Sequence, residues 1–303
     1  MTILYSKILL VCNGKAGRGE LETQLMEVTP PLLDICDTLT IHKTKDKGGA
    51  EKICHETGNE YDLVVILGGD GTVHEAVNGL ARLSSRPKTA ILPGGTCNDF
   101  ARSLDIPMNL RLAAETIAND LHEKDIDIVK ADDRYFSNFW GTGLISQTSD
   151  NIDTGSKSVL GKLSYYISAF QSIQDPVLLN AAVTADGREY NEEVVMLLAA
   201  NGRSIGTHPL PASISLQDGL IDLYMVKKTG FPLMMESFKI RSTGDISSPS
   251  DDIIHIQASE VTIHLDDMKN MKKVDMDGEL YEEQKQTLKV LKHHMRFITG
   301  EEK

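Results

Sequence analysis

The segment LVVILGGDGTVHEAVNGL, residues 63–80, sets the architecture of the first half of this 303-residue chain. Leu63 to Leu67 is a continuous apolar run of strand length, the pattern of a parallel strand buried on both faces. It ends at Gly68-Gly69-Asp70-Gly71-Thr72, and then Val73, Ala76, Val77 and Leu80 recur with the spacing of an apolar helix stripe. Ile8 to Cys12 is a second buried-strand run, closing at Asn13-Gly14, and Thr89 to Leu92 is a weaker third, closing at Pro93-Gly94-Gly95. Leu39-Thr40-Ile41 is a further strand candidate, and the segments near residues 19–28, 48–57 and 72–83 can be helical. Strand, helix, strand in this order predicts a Rossmann-like open α/β sheet. In such sheets ligands bind beyond the carboxyl ends of the strands, so the turns after Cys12, Leu67 and Leu92 share one rim.

Three glycines around one Asp are costly for a mere turn. Without Cβ atoms the backbone can approach a phosphate, helix-start amides can face its oxygens, and Thr72 can cap. Asp70 would repel a bare phosphate but suits the hydration shell of a Mg²⁺ beside one. The competing reading is a tight strand-to-helix turn with an Asp cap. The second turn, PGGTCNDFAR at 93–102, has a competing reading too, with Asn98 or Asp99 as helix cap. The first, Asn13-Gly14-Lys15-Ala16-Gly17-Arg18-Gly19, lacks the order of a P-loop. Three such turns on one rim favour nucleotide or phosphate binding over three coincidental caps.

The second half is built differently. After a helix-like Leu110 to Leu121, Asp125 to Val129 and Tyr135 to Trp140 alternate as strands do, and a boundary near residue 127 separates domains 1–127 and 128–303, the last residues packing back on the first. Leu160, Leu163, Ile167 and Phe170 form a helical core stripe. Strands near 177–185, 193–199, 220–227, 253–265 and 286–299 predict an antiparallel β-rich sandwich. With 31 Lys+Arg against 44 Asp+Glu, a charge of −13 and 5% aromatic residues, the chain does not suit a nucleic-acid partner. The N-terminus lacks signal-peptide features, and the longest apolar run, Val194 to Ala200, is far short of a membrane span. Cys12, Cys36, Cys54 and Cys97 form no CxxC pair, which points to reduced thiols in a cytoplasmic protein.

GGDGT followed by His74-Glu75-Ala76-Val77-Asn78-Gly79-Leu80, and then PGGTCNDFAR, resembles the bacterial diacylglycerol kinase (YegS-type) lipid kinases, relatives of sphingosine and ceramide kinases. The likeness continues through NFWGTG at 138–143, Lys157 with Gly161 to Tyr165, Ala200-Asn201-Gly202, Asp218 to Asp222 and Asp277-Gly278-Glu279. GGDGT is shared with NAD kinases and resembles an element of phosphofructokinases; PGGTCNDFAR is far more specific. The resemblance implies an ATP- and Mg²⁺-dependent kinase whose nucleotide lies between a Rossmann-like domain and a lipid-receiving β domain. It places Asn13, Gly17, Gly68, Gly69, Asp70, Gly71, Thr72, Glu75, Gly95, Thr96 and Asn98 at the nucleotide. Asp70, Asp99 and Asp127 would form the carboxylate network around the catalytic Mg²⁺, and Asp277 the general base, with Glu279 adjacent. Locally, Asp277-Gly278 between strand-like runs is a hairpin signal, which is compatible with that role.

The chain departs from the family in three places. Asn13-Gly14 stands where the family commonly has Asn-Pro, which would loosen the first loop. A second, structural Mg²⁺ would have only Ser215, Asp218 and the Leu220 carbonyl, since Gln217 lies where acidity is expected. The glycine-rich stretch after Gly202 is thin, reading Ser204 to His208. His293-His294 and the charges from Lys285 onward, a local +3, read as a solvated strand face that could touch anionic lipid heads, and Phe231 to Met235 reads as a helix start. The expected activity is phosphorylation of diacylglycerol at the inner membrane face by a peripheral protein, with a homodimer left open. The alternatives are a kinase of a soluble acceptor such as NAD or a sugar phosphate, and a nucleotide-sensing regulator without turnover.

Overall fold

The computed structural model describes residues 3–14, 18–119, 122–145, 178–210, 214–227, 252–266, 273–282 and 285–301. Gly17, Lys157, Gly161 to Tyr165, the 160–170 stripe and Phe231 to Met235 lie outside the described residues. The chain divides into two compact units, Met1–Ile128 with His293–Lys303, and Val129–Lys292.

In the first unit the order is β1 (Tyr5–Asn13), α1 (Arg18–Leu33), β2 (Cys36–Thr44), α2 (Gly49–Thr57), β3 (Leu63–Gly68), α3 (Asp70–Leu80), β4 (Lys88–Pro93), α4 (Asp99–Ser103), α5 (Leu110–Asn119) and the start of β5 (His122–Ala131). The sheet is parallel in the order β2-β1-β3-β4, with Leu10 beside Val65 and Val65 beside Ala90. Leu63 to Leu67 are at most 1% exposed, as an unbroken apolar run on a sheet covered on both faces requires. α2 and α3 approach closely at Gly79, where a Cβ would overlap the Glu51 main-chain oxygen and lie 2.9 Å from Cys54 Cβ. All four cysteines are free and buried, and burial foremost, with Glu75 nearby, pushes the Cys54 thiol up to about 12.

The second unit continues with β6 (Arg134–Phe136), β7 (Phe139–Gly143), β8 (Leu179–Ala185), β9 (Arg188–Val194), β10 (Met196–Ala200), the short pair β11 (Ser204–Ile205) and β12 (His208–Pro209), β13 (Ile221–Val226), β14 (Ile253–Ala258), β15 (Glu260–Asp266), β16 (Lys273–Met276), β17 (Glu279–Glu282) and β18 (Lys285–Thr299). An antiparallel sheet β14-β13-β10-β7-β16-β17 stands against strands β18-β15-β8-β9 with β5 and β6. Between them Trp140, Leu197, Leu223 and Met276 meet Phe136, Val183, Ile263 and Leu288 in one core. Trp140 satisfies its buried indole N–H by donating to Gln286 Oε1 at 2.5 Å.

The chain-level reading of fold class holds, and the structure redraws individual strands. Tyr135 to Trp140, expected as one strand, is broken at Ser137-Asn138 into β6 and β7. The expected 253–265 strand is two, parted at Ser259, and its halves join different sheets. Asp186 makes that switch possible: its carboxylate accepts the amides of Ser259 and Glu260, both at 3.0 Å. β18 runs on past Lys292 into the first unit, where Phe297 pairs in parallel with Thr89 of β4.

Gly79→Ala should lose about 1–3 kcal/mol of stability by overpacking, outweighing the helix propensity of about 1 kcal/mol that alanine adds. The shift in urea midpoint measures it, and an unchanged or raised midpoint would refute the tight α2–α3 approach.

Candidate active site

The two glycine-rich turns that follow β3 and β4 lock onto each other. A Cβ at Gly69 would stand 3.1 Å from Gly95 Cα, one at Gly94 3.2 Å from Gly68 Cα, and one at Gly95 would overlap Gly69 Cα. Gly94 N–H also donates to the Gly68 carbonyl at 3.0 Å. The glycines are therefore required by turn-to-turn packing, a reason the sequence reading, which looked to the phosphate, had not found. Asp70 completes the joint: Oδ1 accepts the Asp99 amide at 2.7 Å and Oδ2 the Asn98 amide at 3.1 Å. Asn98 does not cap α4 with its own side chain; Asp70, from the preceding turn, holds its first amides. Asn98 sits at φ 52 and braces its own loop, accepting from Gly95 N–H at 2.8 Å and donating to the Gly95 carbonyl at 2.9 Å.

This leaves α3 starting at Gly69-Asp70 without a side-chain cap, its Thr72 buried against Gly68. Gly95 and Thr96 are exposed beside it. An uncapped helix start with glycines around it has the donors that suit an anion, so the residues present fit a nucleotide phosphate. The Asp70 and Asp99 carboxylates and the Cys97 thiol all lie within 4.8 Å of one another. Two carboxylates fit Mg²⁺, which takes few protein oxygens plus water and phosphate; the soft thiol does not add to that set. Cys97 escaped the sequence reading because one cysteine within a turn has no ligand spacing of its own.

Other expected residues in this unit have different occupations. Asp127 is not part of the trio: fully buried on β5, it accepts the amide of His293 at 2.6 Å, holding β18 at a left-handed residue of φ 53. Glu75, expected near the nucleotide, instead caps α2, its two oxygens accepting Gly48 N–H at 2.8 Å and Ala50 N–H at 3.1 Å. Asn13 ends β1 at the same carboxyl edge of the sheet as Gly68 and Pro93. Gly14 itself is held at the end of β1: its N–H, which proline would lack, donates to the Thr44 carbonyl at 3.0 Å, and a Cβ there would overlap that oxygen.

In the second unit the distant motifs converge on Asp277. The turn Asp277-Gly278, with φ 53 and 89, joins β16 to β17 as a hairpin of the expected kind. Its buried carboxylate reaches into the β6–β7 break. Oδ1 accepts the amides of Asn138 and Phe139, both at 2.9 Å, and Oδ2 accepts Ser137 N–H at 3.0 Å and the Ser137 hydroxyl at 3.3 Å. Asn201 and Gly202 in turn donate their amides to the Asn138 carbonyl at 2.9 and 2.8 Å. Four donors fill the roughly four lone-pair directions of a carboxylate. Glu279 stands half-buried at the start of β17. The structural Mg²⁺ candidates close local turns: Ser215 Oγ accepts Gln217 N–H at 3.2 Å, Asp218 Oδ1 accepts Leu220 N–H at 2.9 Å, and Lys292 donates its ammonium to the Asp218 carbonyl at 3.1 Å. A lysine cation already on that carbonyl fits poorly with a divalent ion there.

Residues 7–131 match the family of diacylglycerol kinase catalytic domains, and residues 141–299 the YegS C-terminal NAD kinase beta sandwich-like domain. A protein of Staphylococcus carnosus named for lipid kinase activity is 31% identical over 300 residues, 97% of each chain. One of Staphylococcus haemolyticus is 34% identical over 297 residues, 96% of this chain and 95% of its own. The crystal structure of a diacylglycerol kinase from Bacillus anthracis, 37% identical, superposes with a TM-score of 0.85 over 98% of this chain and 97% of that one.

Asp70→Ala should strand the Asn98 and Asp99 amides, at about 1–3 kcal/mol for donors left unsatisfied. Hydrogen exchange should accelerate at those two amides first; unchanged protection there would overturn the clamp.

Proposed function

Since the chain belongs to the diacylglycerol kinase family of lipid kinases, we propose that it transfers the γ-phosphoryl group of ATP, with Mg²⁺, to a lipid hydroxyl, that of diacylglycerol giving phosphatidic acid and ADP. The observation that carries this reading is the locked pair of glycine-rich turns, with two carboxylates beside an uncapped helix start. Bound there, Mg²⁺ would neutralise charge on the transferring group, as phosphoryl transfer chiefly needs positioning and charge stabilisation. The α3 amides would hold the phosphates, with Gly68 to Thr72, Gly95, Thr96 and Asn98 forming the cradle. Asp70 and Asp99 would hold the ion, directly or through water.

The acceptor hydroxyl must give up its proton as the new P–O bond forms. Of the two acids expected for this task, Asp277 already accepts four hydrogen bonds and holds the hairpin in place. Glu279, two residues on, is the better proton acceptor, with Asp277 the residue that positions it.

Access to a lipid would be peripheral, since no helix among the described residues is long and apolar enough to cross a membrane. With a net charge of −13, docking on an anionic bilayer would have to be local. Soluble-acceptor kinase and non-catalytic nucleotide sensor are the readings a substrate panel separates from this one.

Labelled ATP offered with diacylglycerol, sphingosine, polyprenol, phosphatidylglycerol and NAD should give labelled lipid, diacylglycerol above the rest. Label on NAD alone, or nucleotide binding without turnover, would overturn the proposal. Glu279→Gln should fold normally and lose about 10²–10⁴-fold in kcat, the range of a general base. Asp277→Asn should lose thermal stability as well as activity. Full turnover in the Glu279 variant would return the proton to Asp277.

A further inference from the structure

The first unit carries an open polar cleft of about 510 Å³ away from the glycine-rich turns. It lies at the amino ends of β3 and β4, whereas the turns lie at their carboxyl ends, about 20 Å away at the rise of a six-residue strand. Three basic side chains face it: Arg86, Lys88 and Arg296. His294 also lines it, but burial first, and Arg86 beside it, hold its ring below the usual histidine range while its Nε2 bonds to the Ala81 carbonyl.

Of the acids that face the cleft, Asp62 serves the backbone and Asp125 is paired with a cation. Asp62 accepts the main-chain amides of Ser6 at 2.8 Å and Lys7 at 2.9 Å through one oxygen. Asp125 takes a two-pronged pair from Arg296, at 2.7 and 3.0 Å, and its carboxyl is held below the usual range by that hydrogen bond. Lys88 pairs with Glu123, outside the lining. Arg86 differs from its neighbours. Its one hydrogen bond among the described residues is NH1 to the Leu83 carbonyl at 2.6 Å, and no carboxylate there pairs with it. A guanidinium has five donors in a planar fork that matches phosphate oxygens. On the same wall Lys88 stays with Glu123, Asn59 and Ser85 add hydrogen-bonding groups, and Tyr61 and Pro87 add ring surface.

We infer that this cleft is a second ligand site, one that binds a small phosphate monoester through Arg86. A dianion draws more from the Arg86 guanidinium than a carboxylate would, and the volume, within the range of small-ligand pockets, exceeds what bare phosphate needs. The inference does not depend on the kinase reading. Free metabolites and lipid headgroups both present phosphate monoesters, and the two share this chemistry.

Calorimetric titration of the full chain with glycerol 3-phosphate, glycerol and a short-chain phosphatidic acid tests it. Both phosphate esters should bind and glycerol should not, with Arg86→Gln weakening the esters about tenfold or more, the loss expected for one charge-assisted pair. Arg86→Lys should recover part of that loss. Equal affinity for the two esters identifies the free ester as ligand, and tighter binding of the acylated one identifies the lipid headgroup. Absence of binding, or ester binding that Arg86→Gln leaves unchanged, as it would be at the nucleotide turns, overturns the site.

Discussion

The carboxylate of Asp70 holds together the part of this protein on which any phosphate chemistry depends. It stands at the first turn of α3 yet accepts the two amides that open α4, so the loops after β3 and β4 are one body. Each hydrogen bond to a charged acceptor contributes about 1.5–3 kcal/mol, and the glycines on both sides let the backbones close to contact. A side chain at Gly95 would part them. The clamp satisfies the first α4 amides internally, while the α3 start has no side-chain cap.

The same device recurs through the chain. Asp62 gathers the amides of Ser6 and Lys7, Glu75 those of Gly48 and Ala50, Asp186 those of Ser259 and Glu260, and Asp277 those of three residues about 140 positions away. Each acid fastens a loop or strand break whose main-chain donors would otherwise need water. With Asp70, five acids thus serve the backbone, Asp62 and Asp186 doing so in exposed settings. For Asp186 the sign is clear: these amides hold its carboxyl below the usual range, so its contribution is present above the unfolded carboxylate range and is lost as acidification protonates it.

The parallel strands were legible because their apolar runs need no partner to be recognised, and the Asp277-Gly278 hairpin because both residues adopt positive φ. The strand breaks at Ser137-Asn138 and Ser259 were not. Nothing local forbids a continuous strand there; carboxylates from Asp277 and Asp186 impose the breaks from far along the chain. For Glu75 and Asp127, too, only the fold reveals the main-chain amides that the carboxylate serves.

By itself the sequence determined the fold class, the rim on which the glycine-rich turns gather and the family, because periodicity, turn chemistry and long motifs are properties of neighbouring residues. Tertiary structure alone decided which main-chain amides each of these acids serves. It also decided that Cys97 joins Asp70 and Asp99, and that Arg86 meets a cleft without a carboxylate to pair with. Those outcomes rest on distances between residues far apart in sequence, which no spacing along the chain encodes.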